Sequence, residues 1–105
     1  MSAPTDAELL ARVASRAALI DRLRELVVDV LRLDLEPEDI EPNLPLFGAG
    51  LGLDSMDTLE LVLEMELVFQ VQSARMEADR YTLRNLNTLA DLIETEGVWP
   101  ISTPA

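Results

Sequence analysis

Two apolar stretches with helical spacing flank a segment that no long helix can cross. In the first, Leu9, Val13, Ala17, Ile20, Leu23, Val27, Val30 and Leu31 recur at three- and four-residue steps, the period of one helix face. In the second, Leu61, Val62, Met65, Val68 and Phe69 gather on one side when residues are placed about 100° apart. Between the two lie Pro37, Pro42 and Pro45, followed by Gly48, Gly50 and Gly52. Proline has no amide proton and clashes with the preceding turn, so this segment must be an extended loop. No run alternates apolar and polar residues as a strand would. The expected fold is all-α, a helical bundle.

Local chemistry marks where the helices begin and end. Thr5-Asp6-Ala7-Glu8 after Pro4 is a capping box, in which Thr5 and Glu8 each satisfy a free backbone N–H. It predicts a first helix from about residue 6 to about residue 33, with room for a break near Ser15. Ile40, Leu44, Leu46 and Phe47 are the apolar residues available to anchor the loop. Asp54 and Ser55 both favour helix starts, and Asp57 adds negative charge to the first turn. A second helix is thus predicted from Ser55 to beyond Phe69. Gln70 to Ala78 reads as a connection, with a short helical turn around Met76 to Leu83. A last helix is expected over about Asn85 to Glu96, with Leu86, Leu89, Ala90 and Ile93 inward and Gly97 as its stop. Val98 to Ala105, with Pro100 and Pro104, reads as a tail. The predicted organisation is an N-terminal extension over residues 1–18, one domain over 19–97 and a tail over 98–105.

Composition narrows the chemistry. A chain of 105 residues has room for one modest core. Only 4% of it is aromatic, so Leu, Val, Ile and Ala must do most of the packing. No window approaches the ~18 apolar residues of a membrane span, and no secretory leader pattern opens the chain. With no cysteine there are no disulfides. A soluble, cytoplasmic protein is the expectation. All eight basic residues are Arg, and His, Lys and Cys are absent. That removes the usual general base near neutral pH, the thiol nucleophile and the Schiff-base amine. An enzyme is not expected.

Charge is unevenly placed. From Asp34 to Glu66 there are ten acids and no base. The remaining ten acids share the chain with all eight Arg, so this segment carries ten of the twelve net negative charges. Such a face repels nucleic acid and anionic lipid and attracts basic partners over long range. A plain solubilising surface is the bland alternative. Within the second helix, Asp57, Glu60 and Glu64 share one arc, flanked by Met56, Leu63 and Leu67. The acids suit Arg or Lys on a partner, and the apolar flank suits shallow pockets. Leu63 fits equally well as a side chain packed beneath a loop. Asp54, Asp57 and Glu60 could hold a cation only loosely, since no calcium-loop pattern is present, and no metal site is expected.

Ser55 stands where these features converge. A serine at a helix start is ordinarily a cap and nothing more. A helix start also suits a phosphodiester, because free N–H groups and the dipole favour negative charge. Gly50 and Gly52 allow the preceding chain to turn tightly without covering the hydroxyl.

The run Leu51-Gly52-Leu53-Asp54-Ser55-Met56-Asp57-Thr58-Leu59-Glu60-Leu61-Val62 closely resembles the phosphopantetheine attachment motif of acyl carrier proteins. The resemblance extends over about residues 20 to 95, with the pieces in the family's order. It implies a four-helix bundle of three principal helices and one short one. By resemblance, Ser55 carries a covalent 4'-phosphopantetheine arm derived from coenzyme A, with Asp54 beside it, and holds acyl groups as thioesters. The implied partners are a Mg²⁺-dependent phosphopantetheinyl transferase and enzymes that transfer, condense or modify acyl groups. The basic patches of these enzymes would dock on Met56, Asp57, Glu60, Leu63 and Glu64. Asp54 before the serine resembles fatty-acid and polyketide-type carriers more than peptidyl carriers. D-alanyl or aminoacyl-type carriers compete, as does an unmodified acidic interaction module. Gly48-Ala49-Gly50, the apolar Leu67 and Val68, and the N-terminal extension depart from a housekeeping fatty-acid carrier and suggest a specialised one.

Overall fold

A computed structural model describes residue 3, residues 5–78 and residues 80–100, excluding the side chains of residues 77, 78 and 80. Four helices make up the bundle: α1 (Asp6–Leu31), α2 (Ser55–Phe69), α3 (Ser73–Ala78) and α4 (Leu86–Glu96). Single 3₁₀ turns lie at Pro37–Asp39 and Arg80–Leu83. Among the described residues there is no strand, only an isolated bridge between Phe47 and Leu53. The all-α, acyl-carrier-like four-helix architecture expected from the sequence is the one observed, with α3 as the short helix.

Each long helix starts on a side-chain cap. The Thr5 hydroxyl accepts from the Glu8 amide at 3.2 Å, and α1 then runs without a break at Ser15. At the head of α4, Asn85 and Thr88 form a reciprocal box, each side chain accepting from the other's amide. Pro4, read as the boundary before α1, lies outside the described residues.

The core lies among α1, α2 and α4, closed by Met76 of α3 and by Ile40 and Leu46 of the long loop. Leu19, Leu23, Leu61, Met65, Phe69, Leu86, Leu89 and Ile93 are fully buried. Leu44 and Phe47 pack against this core from its edge.

Three sequence expectations need correction. The inward stripe of α1 starts at Leu19 rather than Leu9, and it includes Leu26, which the predicted stripe omitted. Leu9 and Val13 are 46% and 67% exposed, and Ala17 is exposed as well. Periodicity shows that a face is apolar, but a neighbour must be there to bury it. α1 is about 39 Å long at 1.5 Å per residue, and residues 6–14 at its start are all exposed.

The second correction concerns the stretch read as a connection, Gln70 to Ala78. It contains α3 from Ser73 onward, held by the fully buried Val71 and Met76. Six residues are too few for a period to show. The third concerns the tail, which is docked as far as Trp99. The Val98 amide donates to the Phe69 carbonyl at 2.8 Å. The Trp99 indole N–H donates to the Ser15 carbonyl and hydroxyl, both at 3.1 Å, and its ring meets Phe69 edge-on at 6.2 Å. Residues 101–105, including Pro104, lie outside the described residues.

Gly97 ends α4 for a different reason from the one its position suggests. Its backbone is extended rather than left-handed. A Cβ there would stand 2.8 Å from Val71 Cγ2 and 3.0 Å from the Phe69 carbonyl oxygen. Close approach of the returning chain to the end of α2 excludes a side chain at this position.

Arg16 ties α1 to α4. It reaches Asp91 and Glu94 at 2.9 Å and donates to the Asn87 carbonyl at 3.0 Å. Burial opposes its charge, but the hydrogen bonds to Glu94 and Asp91 outweigh this and raise its pKa above the ordinary guanidinium value. Among the described residues, the hydrogen bonds and ion pairs between α1 and the rest of the molecule thus begin at Ser15 and Arg16.

Candidate functional site

The loop before α2 is pinned at several points. Near its start, Arg24 of α1 donates from Nε to the Ile40 carbonyl at 2.9 Å. The Pro42 carbonyl accepts from the Asn87 amide at 3.2 Å, and the Leu46 amide donates to the Arg84 carbonyl at 3.0 Å. The chain then folds back on itself. Leu51 donates to the Pro45 carbonyl at 2.9 Å and Leu53 to the Leu46 carbonyl at 3.0 Å. A Cβ at Gly50 would overlap that Pro45 carbonyl oxygen, so only glycine fits there. Gly52 has a φ of 72°, the left-handed region glycine adopts without strain. With Leu46 and Leu53 buried, this closed loop delivers Asp54 to one fixed position.

Asp54 caps α2. Its Oδ1 accepts from the Asp57 amide at 2.9 Å, and Asp57 Oδ2 accepts from the Asp54 amide at 3.0 Å. The Thr58 hydroxyl adds a bond to the Asp54 carbonyl at 2.9 Å. The sequence reading gave Asp57 only a charge near the dipole, but its carboxylate is the second arm of the box. An acid at the third helical position, following an N-cap acid, is the signal that would have revealed this.

Ser55 is the first residue of α2, and its side chain is exposed. The capping box occupies the amides of Asp54 and Asp57, so those of Ser55 and Met56 form the open turn beside the hydroxyl. The remaining predicted residues follow within three turns of the same helix. Met56 is 67% exposed, Leu63 is 50% exposed, Glu60 is exposed, and Asp57 and Glu64 are half-buried. For Leu63 the exposure decides against packing beneath a loop. Leu61, Val62, Met65 and Phe69 turn inward as expected, with Val68 at the core's edge.

Leu59 was missed. It is 50% exposed, and its spacing of three from Met56 and four from Leu63 puts it on their stripe, which Leu67 continues at 77% exposed. Every ion pair among the described residues lies within α1 or joins Arg16 or Arg75 to α4. The acids of α2 therefore have no ion-pair partner among the described residues. Among the described residues no group of three potential ligands could hold a metal ion, so Asp54, Asp57 and Glu60 make no such site. A groove lined by Arg75, Tyr81, Thr88, Asp91 and Leu92 lies on the α3–α4 side and takes in none of the residues around Ser55.

An exposed hydroxyl at an open helix start, carried on a pinned loop, suits a covalently attached phosphate-linked arm. Comparison with known proteins gives the same class. The family described as "Phosphopantetheine attachment site" matches residues 21–93. The chain is 32% identical over 75 residues to the acyl carrier protein of Phytoplasma australiense, covering 71% of this chain and 88% of that protein. The same identity and coverage hold for the acyl carrier protein of Aster yellows witches'-broom phytoplasma. No solved structure matches. This is a phosphopantetheine carrier. The chain belongs to the acyl carrier protein family, and its prosthetic group is a covalent 4'-phosphopantetheine. The residues around Ser55 fit that group, since its side chain is exposed and the neighbouring amides can meet a phosphodiester.

Proposed function

We propose that Ser55 is the sole attachment residue and that the chain carries acyl groups as thioesters on its arm, presenting them to partner enzymes. The observation that supports this is the exposed Ser55 hydroxyl at the first position of α2, within the Leu-Asp-Ser-Met run. When Ser55 Oγ bonds to the phosphorus that carries the pantetheine arm, the diphosphate link of coenzyme A breaks and adenosine 3',5'-bisphosphate leaves. The chain has no His, Lys or Cys and the carboxylates of Asp54 and Asp57 are engaged in the cap, so the serine's proton passes to a base on the transferase. This protein contributes position rather than catalysis.

Asp57, Glu60 and Glu64, with Met56, Leu59 and Leu63 beside them, form the face that a transferase or acyl-handling enzyme with a basic patch would engage. These acids speed such encounters, and the apolar stripe supplies burial once contact is made. We assign the protein to a specialised fatty-acid or polyketide-type pathway, because Asp54 precedes the serine and Leu67 is a solvent-facing leucine. No helix among the described residues is long and apolar enough to cross a membrane.

Intact mass spectrometry after incubation with coenzyme A, Mg²⁺ and a promiscuous phosphopantetheinyl transferase tests the assignment. The wild type should gain one phosphopantetheinyl group, and Ser55→Ala should gain none while its helical circular dichroism persists. A mass gain in Ser55→Ala would move the attachment elsewhere. No gain in the wild type would leave an interaction module that keeps only the fold.

A further inference from the structure

α2 carries a row of exposed leucines with an acid on each side. Leu59, Leu63 and Leu67 are four residues apart, the spacing that raises a ridge on a helix surface, and they are 50%, 50% and 77% exposed. Among the described residues Leu67 is the most exposed large apolar side chain. Glu60 and Glu66 stand three residues before and three after Leu63, and both are exposed. At about 100° per residue they fall on opposite sides of the ridge. No ion pair among the described residues involves either acid.

Charge and shape together decide what this row can meet. A second copy, of net charge −12, would bring acid onto acid, and nucleic acid and anionic lipid are repelled for the same reason. A flat basic patch would satisfy Glu60 and Glu66 but press its remaining cations against leucine, and burying an unpaired charge is costly. An amphipathic helix meets both demands. Its apolar stripe receives the ridge, and Arg or Lys on both margins of that stripe reach the two acids. Leu67 adds a restriction, because a partner with a base at that end would bury it unpaired and be rejected. Ser55 falls on the Glu66 side of the ridge, so a helix seated there leaves the hydroxyl at its margin rather than beneath it.

Resting on the reading of α2 as the docking face, we propose that the partner contributes one amphipathic helix seated across Leu63. Bases on both of its margins meet Glu60 and Glu66, an apolar residue meets Leu67, and Leu67 selects among partners. From Leu59 to Leu67 the ridge is about 12 Å long at 1.5 Å per residue. Such a contact is smaller than a standard stable interface of about 1,600 Å², so the association is transient.

Two synthetic peptides of about 20 residues, long enough for an isolated helix, test this against the full chain by NMR titration. One has a leucine stripe with Arg on both margins, and the other has the same composition in an order that makes no stripe. The wild type should bind the striped peptide about tenfold more tightly, with the largest amide shifts at Leu59, Leu63 and Leu67. Leu67→Glu makes the protein more acidic, so attraction by charge alone would tighten binding of both peptides. The ridge instead predicts about tenfold weaker binding of the striped peptide, a loss of about 1.4 kcal/mol. Glu66→Arg should weaken it more than Asp29→Arg, an equal change of charge at an exposed position of α1. Equal binding of the two peptides, tighter binding by Leu67→Glu, or shifts centred away from α2 would overturn the proposal. The mass gain at Ser55 is measured on the same wild type. A gain without selective peptide binding overturns this inference and leaves the carrier reading intact, whereas selective binding without a gain supports the helix-docking face and overturns the loading of Ser55.

Discussion

Replacing Asp54 separates two roles that a capping acid plays beside Ser55, the proposed attachment residue. In Asp54→Ala the Asp57 amide loses its acceptor at 2.9 Å, and Asp57 Oδ2 keeps only a backbone donor that has lost its partner turn. Loss of an N-cap costs about 0.5–2 kcal/mol. Asp54 is exposed, so water recovers part of what is lost, and about 1 kcal/mol is the working value. For a domain of this size that lowers the melting temperature by about 4–5 °C. Asp54→Asn keeps an oxygen acceptor in the same place and removes only the charge. The lost dipole interaction, about 0.3–1 kcal/mol, is offset by relief of repulsion from Asp57 and Glu60, so this variant should melt within about 2 °C of the wild type. Transfer rates should follow the cap: Ala frays the turn that holds Ser55 and slows loading, while Asn preserves it. Thermal melts by circular dichroism and time-resolved intact mass on the three proteins supply both readings. If Ala and Asn lower stability equally, charge rather than capping holds the start of α2, and the reasoning fails.

Other perturbations test separate parts of the molecule. Glu60→Arg with Glu64→Arg should slow loading by about tenfold or more at low salt and flatten its dependence on ionic strength; equal rates in both proteins would reduce the acidic arc to a solvated surface. Gly50→Ala forces a Cβ into the Pro45 carbonyl, so the loop must shift at a cost of about 1–3 kcal/mol, read as a lower melting temperature; an unchanged melt would show that the loop yields freely. Trp99→Ala removes a half-buried ring, its contact with Phe69 and its bonds to Ser15. A loss of about 2 kcal/mol is expected, below the full cost of a buried aromatic, and a melt like the wild type's would make residues 98–100 a dispensable tail.

What was legible in the sequence was whatever depends on few residues close together. Thr5 at the head of α1, Asp54 at the head of α2 and the proline-bearing loop are local devices, and each lies where its chemistry predicted, although only the Thr5 half of the box expected with Glu8 forms. The long α2 face was legible too, because four turns suffice to separate Leu61, Val62, Met65 and Phe69 from the acids. What was not legible depends on distant partners. Nothing in Trp99 itself points to Ser15, 84 residues away, and nothing in Leu9 or Val13 says that no helix lies beside them. The reason for Gly97 was hidden likewise, since Val71 and the Phe69 carbonyl are brought to it only by the fold. At the site, Asp57 was read as a charge near a dipole, while its reciprocal hydrogen bond needed only a comparison with the Thr5 box.

The arrangement around Ser55 separates what holds the site from the face proposed for partners. Its position depends on backbone contacts and one cap: Leu51 on Pro45, Leu53 on Leu46, Leu46 on Arg84, and Asp54 with Asp57. The large side chains outside the core on this face, Met56, Leu59, Glu60 and Leu63, are all exposed. Exchanging them changes what a partner touches without opening a cavity or stranding a buried polar group, the usual sources of large destabilisation. Recognition can thus be altered on α2 independently of how Ser55 is held, provided that Gly50, Asp54 and Asp57 are kept. Asp57 is where the two requirements meet, since one carboxylate oxygen is committed to the cap while the residue remains part of the acidic arc. On the proposed docking face, a partner that captured both of its oxygens would loosen the turn that presents the hydroxyl, so such docking would be better supported by Glu60 and Glu64, which carry no such commitment.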